Sequence, residues 1–216
     1  METLEAIRGR KSIRAYLDKP VPKEIIAQVL EASRWAPSGV NRQQWRVTVV
    51  TGERCKTLAK RLVERARERE PNTPGSGAGG PPDVSRRMVA LRADLTRIAQ
   101  SLGQSLWEFV VLGSYRLYDA PVVVVVSHPG RRGGDIPQFV TTMLVAAHDL
   151  GLGTCWLGYP LSYSDLIRQV LEIPDEEQIG AVVALGYPDP DSPANAYRSP
   201  RDELEDFVRW VGYDQD

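Results

Sequence analysis

Residues 121–127 read Pro-Val-Val-Val-Val-Val-Ser, five consecutive valines opened by a proline and closed by a serine. β-Branched side chains are stiff at χ1 and pack well on a pleated surface. A strand points successive side chains to opposite faces, so an unbroken valine run offers apolar groups to both. The run is therefore expected to be a central strand, covered by helices on each side. Three more strands read outward from it: WRVTVVT (45–51), TCWLG (154–158) and IGAVVAL (179–185).

Helical patterns fill the spaces between. Residues 2–9 predict a short helix with Leu4 and Ile7 on one face. The stretch PVPKEIIAQVLEASRWAPS predicts an amphipathic helix that buries Ile25, Ile26, Val29 and Leu30 and stops at Pro37. A helix over 53–70 is polar all round in its second half. Val84, Met88, Leu91, Leu95, Ile98 and Leu102 alternate spacings of three and four, and a second apolar segment runs from Leu106 to Leu117. Phe139 to Leu150 reads as a core helix with Met143, Leu144, Ala147 and Leu150 inward, ended by Gly151 and Gly153. Short helices are expected at 166–171 and 201–211. The tract PNTPGSGAGGPP, 71–82, is too rich in glycine and proline to fold alone and is expected to be a mobile loop. This order predicts an α/β (α+β) layered fold, a small central sheet flanked by helices, in a single domain over 1–216.

Composition narrows the function. The chain carries 27 Lys+Arg against 28 Asp+Glu, a net charge of −1, which disfavours a dedicated nucleic-acid binder. Cys55 and Cys155 stand alone, so neither a disulfide framework nor a zinc site is indicated. A charged opening, METLEAIRGRKS, and the lack of a long apolar run predict a cytoplasmic protein without a membrane span. Against this neutral background IRGRKSIRAY packs Arg10, Lys11 and Arg14 into five residues, with Ser12 between them. Far along the chain, YRSPRDEL offers Arg198 and Arg201. Two basic groups converging on one phosphate would form a nucleotide-type cofactor site; a solvated charged turn is the alternative for either one.

Three segments together resemble the FMN-dependent nitroreductase family. IRGRKSIRAY is similar to its opening Arg-x-Ser-x-Arg/Lys signature, APSGVNRQQW (36–45) to its Ala-Pro-Ser-Gly-x-Asn-x-Gln-Pro-Trp turn, and GLGTCWLGYP (151–160) to its Gly-Leu-Gly-Thr-Cys-Trp stretch. YDAPVVVVV (118–126) and the segment from ALGYPDP to RSPRDELEDFV (184–208) agree in order. The resemblance covers most of the chain apart from about 65–105. Gln44 replaces the usual proline before Trp45, and Ser199 stands where a basic residue is common, leaving Arg198 one place out of register.

The resemblance implies a homodimer with an FMN site at each end of the interface, reduced by NADH or NADPH. Arg10, Lys11, Ser12, Arg198 and Arg201 would hold the FMN phosphate through charge-assisted hydrogen bonds. Arg14 would face the pyrimidine edge of the flavin, where a cation stabilises the charge gained on reduction, and Arg116 would serve the same edge or stand as an ordinary exposed arginine. The turn Pro37, Ser38, Gly39, Asn41 and Gln43 would reach the flavin of the opposite subunit. Trp156, Leu157 and Gly158 would lie against the ring, a backbone N–H near N5. No side-chain acid or base is obvious: His148 reads as a structural histidine of a core helix and Cys155 as packing.

The implied activity is ping-pong hydride transfer from NAD(P)H through the flavin to a nitroaromatic, quinone or similar planar acceptor. A reductive dehalogenase or ene-reductase on the same fold, or a non-catalytic flavin-binding redox sensor, are the alternatives. Residues 84–118 would act as a lid over the flavin or as dimer-contact helices. Trp107, Phe109, Tyr115 and Tyr118 would wall an acceptor pocket or belong to the core.

Overall fold

Five valines in a row do become the middle of the sheet. In a computed structural model, which describes residues 2–68, 82–130 and 134–212, Val122–Pro129 (β2) lies between Arg46–Thr51 (β1) and Glu177–Gly186 (β4). Gly153–Leu157 (β3) pairs with the far side of β4, so the strand order is β1-β2-β4-β3 and every pairing is antiparallel. Alternation along β2 divides the core in two. Val123 and Val125 face one cluster with Leu58, Leu62, Phe109, Tyr115 and Leu117. Val122, Val124 and Val126 face another with Ile26, Val29, Phe139 and Met143. Each valine is at most 1% exposed, and full burial of such a side chain contributes about 1.5–3 kcal/mol.

The helices follow the predicted order: α1 Thr3–Gly9, α2 Lys23–Ser33, α3 Gly52–Arg67, α4 Pro82–Ser101, α5 Gly113–Tyr115, α6 Ile136–Asp149, α7 Ser164–Leu171, α8 Pro193–Ala196 and α9 Leu204–Phe207. Among the described residues no helix is long and apolar enough to cross a membrane. Residues 69–81, which hold nearly all of the Gly/Pro tract, lie outside the described residues, and Pro82 opens α4.

Two expectations, at α3 and at 201–211, are corrected, and the structure adds detail at α1 and after α4. The second half of α3 is not polar all round: Leu62 and Ala66 are buried, and the surrounding charges occupy the other faces. Leu4 and Ile7 are exposed on α1, which buries only Ala6. The predicted helix at 201–211 shrinks to α9, and Phe207, Trp210 and Val211 are largely exposed. The apolar segment after α4 is π-helical over Trp107–Leu112 before it tightens into α5. It then turns through Leu117, Tyr118 and Asp119, all with left-handed φ of 51 to 61°. Each such residue costs roughly 1–2 kcal/mol without the freedom of glycine.

The free edge of β3 positions the basic segment. Ile13 donates to the Thr154 carbonyl at 2.9 Å, Leu17 donates to Tyr187, and Asp189 donates to Ala15. Residues 12–17 are thus laid along the sheet beside β3 and the chain that leaves β4.

Candidate functional site

The two basic groups, almost two hundred residues apart in sequence, meet at the C-terminal end of α6. Arg198 Nη1 donates to the Gly9 carbonyl at 3.4 Å. Lys11 Nζ donates to the Asn195 carbonyl. Arg10 is held below the ordinary guanidinium value first by burial and then by the charges of Arg201 and Arg198. Among the described residues, no carboxylate lies within ion-pair reach of Arg10, Lys11, Arg198 or Arg201; their recorded partners are carbonyls and a hydroxyl. Like charges gathered without a protein anion are a donor set suited to a phosphate.

Sequence reading missed one member of this cluster. His148, on the last turn of α6, is half-buried beside Gly9, where an added Cβ would come within 2.4 Å of its Nε2. Only glycine lets the imidazole approach the backbone so closely. Burial lowers the His148 pKa; Arg10, Arg198 and Lys11 lower it further, and Asp149 opposes them. Its place is therefore the basic cluster rather than the core interior. Lys11, His148, Thr154 and Asp189 line a cavity of about 240 Å³ there. A C-terminal helical turn also favours a cationic imidazole.

From this pole the chain runs to Arg14, at most about 13 Å further for four extended residues. Ser12 pairs with Thr154 in a parallel bridge, which brings it beside Cys155. Cys155 is buried and its thiol is pushed up by burial, which fits its expected packing role. The Arg14 guanidinium lies near the Tyr118 phenol and the Cys155 thiol. Burial works against its charge, but Cys155, Tyr118 and Tyr16 outweigh burial and leave it more firmly protonated. The Arg14 backbone is fixed by Asn195, a buried residue that no motif in the chain singles out.

Arg116 lies just before the left-handed turn, its Nε 3.4 Å from an Asp119 carboxylate oxygen in a geometry that makes no hydrogen bond. Trp156 is 39% exposed on β3, whereas Leu157 is buried in the core. Only the backbone of Leu157 is available to a ligand. Gly158 is exposed and follows directly. Of the aromatic side chains expected to form a wall, Phe109, Tyr115 and Tyr118 belong to the core; Tyr115 packs on Tyr163 at 5.3 Å between ring centres.

The turn at 37–43 does not join these residues within the chain. Its Gly39 N–H donates to Asp135 Oδ1 at 3.1 Å, and Arg42 reaches Asp135 Oδ2 at 3.4 Å. Asp135 is the buried residue immediately before α6, and it was also not selected from sequence. His148 lies at the opposite end of the same helix, about 20 Å away at 1.5 Å per residue. The turn itself is locally ordered: Gln43 N–H donates to Ser38 Oγ at 3.2 Å and Gln43 Nε2 to Asn41 Oδ1 at 2.7 Å. Val40, Asn41 and Gln43 have positive φ, and Val40 is 91% exposed. A β-branched side chain in that region is a backbone outlier. Trp35, Pro37, Ser38, Asn41 and Gln43 line a cavity of about 480 Å³ around it.

Comparison with known proteins points to one family. The sequence profile described as the Nitroreductase family matches residues 7–187. The nitrobenzene nitroreductase of Ectopseudomonas oleovorans is 28% identical, with 96% of each chain covered. The 4-nitrobenzoate reductase of Nocardioides sp. (strain LMS-CY) is 29% identical, covering 100% of this chain and 93% of that protein. Among solved structures, the FMN-dependent nitroreductase NfnB from Mycobacterium smegmatis in complex with NADPH superposes with a TM-score of 0.84 at 27% identity. The match covers 96% of this chain and 97% of that one.

Proposed function

The chain belongs to the nitroreductase family, and we propose that it is an FMN-dependent oxidoreductase, reduced by NAD(P)H, acting on nitroaromatic or quinone acceptors. The observation that carries this reading is the gathering of Arg10, Lys11, Arg198 and Arg201, with His148 beside them and, among the described residues, no carboxylate within ion-pair reach of the four. The donor set fits a phosphate monoester: several fixed cations, the Ser12 hydroxyl and a helix C-terminus that tolerates them. Bound FMN would supply the redox chemistry, taking hydride at N5 and giving it to the acceptor.

This chain's own groups then bind, orient and tune. Arg10, Lys11, Ser12, Arg198 and Arg201 hold the phosphate end. Arg14 presents a protonated guanidinium to the pyrimidine edge, and Arg116 is the second candidate for that edge. The exposed Trp156 and the backbone at Gly158 flank the ring. The turn of Pro37, Ser38, Gly39, Asn41 and Gln43 sits about 20 Å from the phosphate pole in one chain. It therefore serves the site of a second copy, and the working unit is a homodimer. Strain at the exposed Val40 supports that reading, since such strain persists where the surroundings over-determine it.

Helix α4 covers the C-terminal arm rather than standing free. Tyr197 donates to Asp94 at 3.0 Å, and Arg87 pairs with Asp202. Met88 and Leu91, three residues apart on one face of α4, remain exposed, an apolar pair suited to a planar acceptor or to the second subunit.

The test is direct. The purified protein should be yellow, bleach without oxygen on addition of NADH or NADPH, and recover its colour with nitrobenzene, 4-nitrobenzoate or a quinone. A protein that takes up no FMN, or whose flavin neither nicotinamide bleaches, would falsify the proposal.

A further inference from the structure

The arm that carries Arg198 and Arg201 has little to shape it locally. Residues 198–202 make no backbone–backbone hydrogen bond among the described residues, and the chain is extended where it leaves α8 at Tyr197, φ −69° and ψ 137°. Pro200 fixes its own φ and keeps Ser199 out of helical backbone. Both arginines are exposed. Among the described residues, their hydrogen-bond partners are the carbonyls of Gly9, Ser199 and Pro200 and the Ser199 hydroxyl. Two long side chains on so loose a segment would make poor phosphate ligands, because ordering them on binding opposes affinity.

Helix α4 supplies the constraint, and it does so at the two residues that bracket the arginines. Tyr197, immediately before Arg198, donates its phenol proton to Asp94 Oδ2 at 3.0 Å. Asp202, immediately after Arg201, accepts from Arg87 Nη1. Arg87 and Asp94 are seven residues apart, two helical turns, so both stand on one face of α4 with about 10 Å between them. The arm crosses that face antiparallel to the helix, and five extended steps, at most about 18 Å, span the two anchors. Asp94 is itself held, since its other oxygen pairs with Arg97.

Anchoring Asp202 also removes a competitor. A carboxylate next in sequence to Arg201 could neutralise the charge a phosphate needs, yet Asp202 is paired with Arg87 instead. Glu203, the next acid, is taken up with Asp206 in the capping box of α9. The pole thus keeps its positive charge although the arm reads Arg-Asp-Glu over 201–203. We propose that α4 is the positioning element of the phosphate site: Asp94 and Arg87 hold Tyr197 and Asp202 so that Arg198 and Arg201, between them, are presented to the pole. The proposal rests on the FMN reading above. Ordering the arm in advance and removing a competing acid both favour a bound phosphate, and neither affects a ligand that lacks one. FMN affinity is therefore set partly by residues that pair with the arm rather than with the phosphate.

The test titrates the flavin-free full chain with FMN and with riboflavin, which lacks the phosphate. Tyr197→Phe keeps the ring and deletes the bond to Asp94. It should weaken FMN binding about three- to tenfold and leave riboflavin within about twofold of wild type. Arg87→Gln frees Asp202 to face Arg201 and should act in the same direction, whereas Arg87→Lys keeps the ion pair and most of the affinity. In a chain carrying both Arg198→Gln and Arg201→Gln, Tyr197→Phe should cause no further loss. A merely structural role would not give that pattern, since a loosened fold weakens both flavins alike. Equal losses for the two flavins, no loss, or the same loss without the two arginines overturns the proposal. A wild type that binds FMN no tighter than riboflavin overturns the phosphate reading along with it. A wild type that discriminates, with variants that discriminate equally well, overturns this assignment alone.

Discussion

Asn195 accepts the Arg14 backbone N–H on its side-chain oxygen at 2.9 Å, joining residues 181 positions apart. The same oxygen accepts from Ala15 N–H at 3.3 Å. Its amide nitrogen donates to the carbonyls of Ala15 at 2.7 Å and Asp189 at 2.9 Å. The side chain acts as a short length of backbone, pairing with residues 14 and 15 as a neighbouring strand would. Through it the fold delivers the N-terminal cations to the C-terminal arm.

Replacing Asn195 with leucine leaves several of these groups without partners. An unsatisfied buried donor or acceptor costs about 1–3 kcal/mol, so the variant should lose roughly 2–4 kcal/mol of stability in urea denaturation. Asn195→Asp keeps the acceptor and loses both donor bonds, so it should fall between leucine and wild type. Equal stability for all three proteins would contradict the role of the clip.

Arg10 should show opposite effects in the free and loaded protein. Its neighbours Arg198 and Arg201 oppose its charge, so Arg10→Gln relieves repulsion and should leave the FMN-free protein as stable as wild type or more so. The same change deletes a charge-assisted bond to phosphate, worth about 1.5–3 kcal/mol, and should weaken FMN binding about 10- to 100-fold. Thermal melts with and without FMN separate the two. A variant less stable in both states would mean that Arg10 is a structural ion-pair partner.

The pH dependence of this pole belongs to His148. Its pKa in the fold is lowered by burial, then by Arg10, Arg198 and Lys11, with Asp149 opposing. The unfolded chain therefore holds more protons at this position between the lowered value and about 6.5. Stability of the FMN-free protein should accordingly rise with pH across that window and fall on acidification through it. His148→Gln should flatten that part of the profile. A bound dianion reverses the local field, so wild-type FMN affinity should gain on the variant's as pH falls below 6.5. Parallel affinity profiles would place His148 away from the phosphate.

Val40 tests the second subunit. In an isolated chain its exposed, left-handed backbone makes Val40→Gly favourable by relieving the strain on a β-branched residue. In a homodimer the side chain is covered, and Val40→Asp should shift sedimentation toward the monomer while reducing FMN affinity. A monomeric wild type, or an aspartate variant that still sediments as a dimer with full FMN affinity, would contradict the shared site.

Much of this architecture is legible in the chain. The valine run places β2, and hydrophobic spacing locates every helix longer than eight residues, although α3 hides Leu62 and Ala66 among charges. The basic residues flanking Ser12 and the pair at Arg198 and Arg201 are visible because the net charge elsewhere is balanced. Their meeting is not, since it depends on β3 lying at the sheet edge and on Asn195. His148 reads as core because Met143, Leu144 and Ala147 precede it with helical spacing; only the end of α6 turns it toward Gly9. Asp135 and Asn195 are single polar residues whose partners are backbone groups distant in sequence. The turn at Leu117, Tyr118 and Asp119 lacks the glycine or asparagine that most often announces left-handed backbone, and the buried Leu117 and Tyr118 are held in it by tertiary packing.

Comparing FMN with riboflavin reaches the centre of the account, because the two differ only in the phosphate. Fluorescence titration of the flavin-free protein should give an FMN affinity at least 100-fold tighter than that of riboflavin, from two or more charge-assisted bonds. That gap should shrink in Arg10→Gln and in Arg201→Gln. Equal affinity for the two ligands, or a gap that neither substitution narrows, would show that the cations from the two ends of the chain do not hold a flavin phosphate.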